Sequence, residues 1–232
     1  MKKILSVLLV AAMLLISFTA IHTSASTNST PTFARLTIFA YYDPDASDPN
    51  SSSSSSLTNT GHAFIVIENF SDRRINAGRM ALDYLEAAAL GTWDLDDTAS
   101  TQGHCGIWYN LEMDYLFRSD KDHFHSVSMN INQSQLNTLN AFISERDSWS
   151  LINNCSKFAR DAWNTLNPDN QLITGFPSTP LRLIEAMQEL SSYDTDFRPI
   201  YRNTVEGFYD GGVFVSSPRN VWLSTPVETV TE

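Results

Sequence analysis

Hydrophobic and polar positions alternate in short stretches through much of the chain, a pattern of period two that marks half-buried strands. TFARLTIFAYY (32–42), rich in β-branched and aromatic residues, predicts one such strand. GHAFIVIENF (61–70) predicts the clearest: His62, Phe64, Val66 and Glu68 share one side, and Ala63, Ile65 and Ile67 the other. GHCGIWYNLEM (103–113) and FHSVSMNI (124–131) predict two more, and GGVFVSS (211–217) and VWLS (221–224) predict edge strands. Residues 75–95 stay open between two readings. MALDYLEAAAL has helical propensity, yet it sits between strand-like pieces and is bracketed by Gly78 and Gly91.

Past residue 132 the period lengthens to that of helices. QSQLNTLNAFISERDS (133–148) places Leu136, Leu139, Asn140 and Ile143 at helical spacing. NNCSKFARDAWNTL (153–166) offers Asn153 or Asn154 as cap, with Phe158, Ala159, Ala162, Trp163 and Leu166 on one face. STPLRLIEAMQEL (178–190) has Thr179 as cap, Pro180 at the first helical position, and Leu183, Ile184, Met187 and Leu190 to bury. Strands, then three helices, then strands predict an α+β fold, an antiparallel sheet packed against a few helices.

One block has no period at all. MKK is followed by the apolar run ILSVLLVAAMLLISFTAI (4–21) and then by His22-Thr23-Ser24-Ala25, with small residues at the −3 and −1 positions for cleavage after Ala25. These are the three regions of a secretory signal, so 1–25 is expected to be removed and the protein secreted; an N-terminal anchor is the rival reading. Polar residues begin at once after this run and no second long apolar run follows, so no stable membrane insertion is expected after cleavage. Removing 1–25 leaves 207 residues, 26–232, enough for one ordinary domain with 61–190 as its core motif region. Within it, DPDASDPNSSSSSSLTNT (43–60) is a Ser-rich loop that cannot bury apolar surface. Its Asp43, Asp45 and Asp48 lack the Gly and Glu of a calcium loop, so a solvated segment is expected there.

Composition narrows the function classes. The 13 Phe, 8 Tyr and 5 Trp call for a packed core rather than an acidic tail. Loss of Lys2 and Lys3 takes the formal charge from −11 to −13, and no basic stretch exceeds Arg73-Arg74, so nucleic acid is not an expected partner. No HExxH or CxxC spacing occurs, so neither metal nor cofactor is expected.

The two cysteines, Cys105 and Cys155, carry the remaining question. Outside the cell an even pair reads first as a disulfide. Cys155, however, falls in the first turn of a predicted helix, where unsatisfied backbone N–H groups lower a thiol pKa and can hold an oxyanion. Asn154 and Ser156 flank it as supporting candidates. A base must come from elsewhere, and His62 and His104 each open a strand behind a glycine; His123 and His125 lie in the charged stretch RSDKDHFH.

GHAFI followed late by NNCSKFARDAWN resembles the circularly permuted branch of the NlpC/P60-like papain-fold cysteine hydrolases, in which the His strand precedes the Cys helix. The resemblance spans about residues 61–166. It implies a permuted NlpC/P60 fold, Cys155 as nucleophile, His62 as general base, and a third polar residue orienting the imidazole. His104 is the first choice for that third role, with Asn110 and Glu112 behind it; His104 is also an alternative base. The implied activity is an amidase or peptidase acting on a peptide, amide or acyl substrate, with cell-wall peptidoglycan peptides among those the family takes. The alternative is a non-catalytic secreted binding module of the same fold, bridged by a Cys105–Cys155 disulfide.

Overall fold

In the computed structural model of the chain, the described residues are 32–42, 61–94, 104–113, 116, 124–199 and 205–216. All lie within one compact unit, Thr32–Glu232. The expected signal segment 1–25, the Ser-rich segment 43–60, His123 and the strand expected at 221–224 lie outside the described residues.

The most strongly alternating stretches form the centre of the sheet. Strand β1 (Ala34–Tyr41) pairs antiparallel with β2 (His62–Asn69) along its whole length, from Ala34 opposite Asn69 to Tyr41 opposite His62. The period of two then sorts their side chains. Leu36, Ile38, Ala40, Ala63, Ile65 and Ile67 face one core, while Phe39, Phe64 and Val66 face another on the opposite side, where Phe39 and Phe64 stack at 5.2 Å. With β5 (Ala87–Trp93), β6 (Gly106–Tyr109), β7 (His125–Ile131), β8 (Tyr193–Asp194), β9 (Gly207–Asp210) and β10 (Val213–Ser216) they make one antiparallel sheet in the order β10-β9-β6-β5-β2-β1-β7-β8. Within the strand expected at 211–217, β10 is thus the edge strand among the described residues, as its exposed Val213 allows. A separate hairpin joins β3 (Ile75–Ala77) to β4 (Met80–Leu82).

Among the described residues three helices cover the first face: α1 (Gln133–Ser144), α2 (Cys155–Leu166) and α3 (Pro180–Gln188). Each begins on a side chain that accepts a hydrogen bond from an otherwise orphaned backbone N–H: Asn132, Asn154 and Thr179. Each buries its apolar stripe, Leu136, Leu139 and Ile143 from α1, Phe158, Ala159, Ala162 and Trp163 from α2, and Leu183, Ile184 and Met187 from α3. Among the described residues the architecture is α+β, with a large antiparallel sheet and three named helices.

One open reading is decided and one expectation is corrected. Residues 75–94 form strands β3, β4 and β5 and no helix, because Ala87, Ala88, Ala89 and Leu90 are buried on both faces of the sheet between β2 and β6, and that burial overrides local propensity. The strand expected over 103–113 shortens to Gly106–Tyr109. Asn110 takes a left-handed conformation (φ 64°) and ends it, and the next residues turn back over the second core, where Met113 and Leu116 pack with Phe39, Phe64 and Val66. That reversal sets the position of Glu112.

Candidate active site

The site begins with an incomplete pairing. β2 and β5 are bonded from Ile65–Leu90 to Glu68–Ala87. Beyond that rung, β2 continues with β1 to His62 and β5 continues with β6 to Trp93, so the two strands part company at this end. α2 packs on the face that carries Ala63 and Ile65, whereas His62 shares the opposite face with Phe64. Cys155, at the first position of α2, nevertheless lies near enough to the His62 ring and the Ala63 backbone N–H for both to act on its thiol. The thiol therefore lies by the end of the sheet where β2 and β5 part.

The glycine before His62 helps to bring it there. Gly61 has φ 127°, and a Cβ at this position would collide with the carbonyl group of Tyr41, so only glycine fits where β2 starts.

His62 is 6 % exposed and Glu112 1 %. The His62 Nε2 and Glu112 Oε1 are 2.9 Å apart, which leaves Nδ1 as the ring nitrogen free to face the thiol. Trp93 donates its indole N–H to the same Oε1 at 2.7 Å and lays its ring 4.1 Å from the imidazole, tilted by 32°. The second carboxylate oxygen, Oε2, is buried without a hydrogen-bond partner.

This arrangement separates charge. Burial pulls the His62 imidazole down, but the charge and hydrogen bond of Cys155, with those of Glu112, outweigh it and push the pKa up to about 10. Burial raises the Cys155 thiol, and against it stand the His62 charge and hydrogen bond, the Ala63 N–H and the Ser156 hydroxyl; the balance lies below the usual thiol value. The site thus favours a thiolate beside an imidazolium.

The other residues singled out in the sequence take different places. Asn154 is the cap of α2: its Oδ1 accepts from the Lys157 N–H at 3.0 Å and its amide donates to the Ser178 carbonyl at 2.8 Å. Committed to these bonds, its side chain supports the helix start and is not an oxyanion donor. Ser156 is fully buried, its hydroxyl 4.0 Å from the Cys155 sulfur. Asn110 is also structural: its Oδ1 accepts from the Ala89 N–H at 3.0 Å and its amide donates to the Val205 carbonyl at 2.8 Å, locking the reversal that delivers Glu112.

His104 is engaged elsewhere, which corrects its ranking. Its Nε2 lies 2.9 Å from Asp147 Oδ1 and its ring stacks on Phe208 at 4.5 Å, so the carboxylate that holds His62 is Glu112. The residue precedes β6 instead of lying on it, so strand alternation does not govern where its neighbour Cys105 points. The Cys105–Cys155 bridge is not formed either: both are free thiols, with the Cys105 thiol 3.5 Å from the Trp149 carbonyl.

Two residues were missed. Gly91 and Trp93 lie on β5 with the parity of Ala87 and Ala89, on the His62 side of the sheet. A Cβ on Gly91 would strike Glu112 Oε1 and lie 2.9 Å from His62 Nε2, so the bare glycine leaves the room in which those two side chains meet. The signal was present in the Gly-x-Trp spacing, but it becomes readable only once 87–93 is known to be a strand beside β2.

Among the described residues no group of His, Cys, Asp and Glu is placed to hold a metal ion, and no helix is long and apolar enough to cross a membrane. No protein-family model, curated protein or solved structure matches this chain.

Proposed function

We propose that this chain is a secreted cysteine hydrolase of the amidase or peptidase type, built on a permuted NlpC/P60-like fold. One observation carries the reading: the Cys155 thiol, in the first turn of a helix, lies beside His62, whose ring is hydrogen-bonded to the buried Glu112. The Cys155 thiolate attacks the carbonyl carbon of an amide or ester. The oxyanion that develops is met by backbone N–H groups of the first turn, where Lys157 N–H is already taken by the Asn154 cap and those of Cys155 and Ser156 remain. The His62 imidazolium gives its proton to the leaving amine or alkoxide, leaving a thioester on Cys155. Neutral His62 then takes a proton from water, hydroxide adds to the thioester, and the acid departs as the thiol regains its proton. Glu112 holds the ring in the tautomer that presents Nδ1 throughout.

The substrate class comes from the resemblance in the sequence: a peptide, amide or acyl compound, with peptidoglycan stem peptides first to be tried. The test uses the intact mature protein. Iodoacetamide should label Cys155 faster than free cysteine at neutral pH, and Cys155→Ala should abolish release of product from a panel of peptidoglycan fragments and activated acyl esters. Labelling of Cys155 no faster than free cysteine would overturn the reading.

A further inference from the structure

We infer that Trp93 is a positioning residue for this site, holding the Glu112 carboxylate against His62 through its indole N–H; the inference rests on the cysteine-hydrolase reading above. Glu112 Oε1 accepts two hydrogen bonds, from His62 at 2.9 Å and from Trp93 at 2.7 Å, while Oε2 has no partner. The carboxylate is therefore oriented by one bond to the residue it serves and one to Trp93. Without the second bond it can rotate about its terminal torsion, which is broad for a carboxylate, and His62 loses a fixed acceptor.

The ring adds a second effect. At 4.1 Å from the imidazole, the indole packs against a histidine that is almost fully buried, and Trp93 itself is only half-buried. It lies beside the His62–Glu112 bond, and its electron-rich face favours the charged imidazolium over the neutral ring. Trp93 is held in turn by the small cluster of Trp108, Leu111 and Phe208. The indole is thus a rigid donor on a supported platform, placed by the same strand whose Gly91 clears space for the carboxylate.

Trp93→Phe keeps the ring and deletes the donor, and Trp93→His restores an N–H on a smaller ring. The readout is the pH profile of Cys155 alkylation by iodoacetamide, taken beside a thermal melt. Loss of a hydrogen bond to a charged group should slow alkylation at neutral pH by about tenfold or more in Trp93→Phe and displace the profile to higher pH. Trp93→His should recover part of both. A Trp93→Phe protein that melts lower but alkylates with the wild-type profile overturns the assignment, because a purely structural tryptophan would behave so. Failure of Trp93→His to recover any reactivity also overturns it. If Trp93→Phe does not fold, the indole N–H proton resonance decides: it should shift on Glu112→Gln in the wild-type background, and an unmoved resonance overturns the assignment. A wild-type thiol with an ordinary pH profile would instead remove the hydrolase reading itself, so the two failures are distinct.

Discussion

Gly91→Ala is the substitution in which general rules and this structure disagree most sharply. Gly91 has no left-handed conformation to protect and lies mid-strand, opposite Trp108 of β6. Replacing such a glycine by alanine ordinarily stabilises a protein by about 0.5–1 kcal/mol. Here the new methyl would strike Glu112 Oε1, with Glu112 Cδ and His62 Nε2 each at 2.9 Å. The strand cannot retreat, being bonded to β6 on one side and to β2 on the other as far as Leu90. Glu112 must move, and the buried His62 loses its charged partner, a change of about 1.5–3 kcal/mol for a hydrogen bond to a charged group. Against the alanine gain the net destabilisation is about 0.5–2.5 kcal/mol, or about 1–10 °C in Tm for a chain of this size. Thermal melting followed by circular dichroism reads the first effect and iodoacetamide labelling of Cys155 the second, which should slow at neutral pH. A Gly91→Ala protein that melts at or above the wild-type temperature with unchanged labelling would refute the reasoning.

Three further outcomes follow from the same geometry. Cys155 is held below the usual thiol value and His62 is pushed up to about 10, so as pH falls the wild-type thiolate is lost later than that of a free thiol. The labelling rate should therefore fall at lower pH in the wild type than in His62→Ala; coincident profiles contradict the ion pair. Asn154→Ala removes the acceptor for Lys157 N–H and the donor to the Ser178 carbonyl, and should lower stability by about 1–2 kcal/mol in chemical denaturation while slowing Cys155 labelling; an unchanged midpoint would mean that water replaces the cap without loss. With both cysteines free, the intact mass of the native protein should be the same before and after reduction, and a gain on reduction would mean that an internal disulfide forms in solution.

The parts of the fold that were legible are those where one local signal decides. The parity of 61–70 sorted Phe64 and Val66 from Ala63, Ile65 and Ile67, and the two groups do line different cores. Thr179-Pro180 and the stripe of α3 read correctly for the same reason: cap, fixed φ and apolar period agree within a few residues. MALDYLEAAAL did not, since its leucine and alanines suit a helix until it is known that β2 and β6 enclose the segment on either side. Only a non-local contact distinguishes the two states, and no window of the sequence contains it.

The site divides along the same line. Cys155 at a helix start and His62 at a strand start are local features, and each was readable from its neighbours. Choosing Glu112 over His104 was not, because both follow His62 by more than forty residues and both carry groups able to hold an imidazole. The choice is made by Asn110, whose left-handed turn swings the chain back across the second face of the sheet. His104 lies before β6 and is already committed to Asp147, whereas Glu112 lies after the turn and falls under Gly91, the one position on that strand with no side chain to exclude it. Cys155, too, comes near the histidine where β2 and β5 separate past Ile65 and Leu90. Continued pairing would close the gap and leave Cys155 and His62 on opposite sides of an intact sheet. The chemistry of the site therefore depends on an interruption of the ladder as much as on the side chains it brings together.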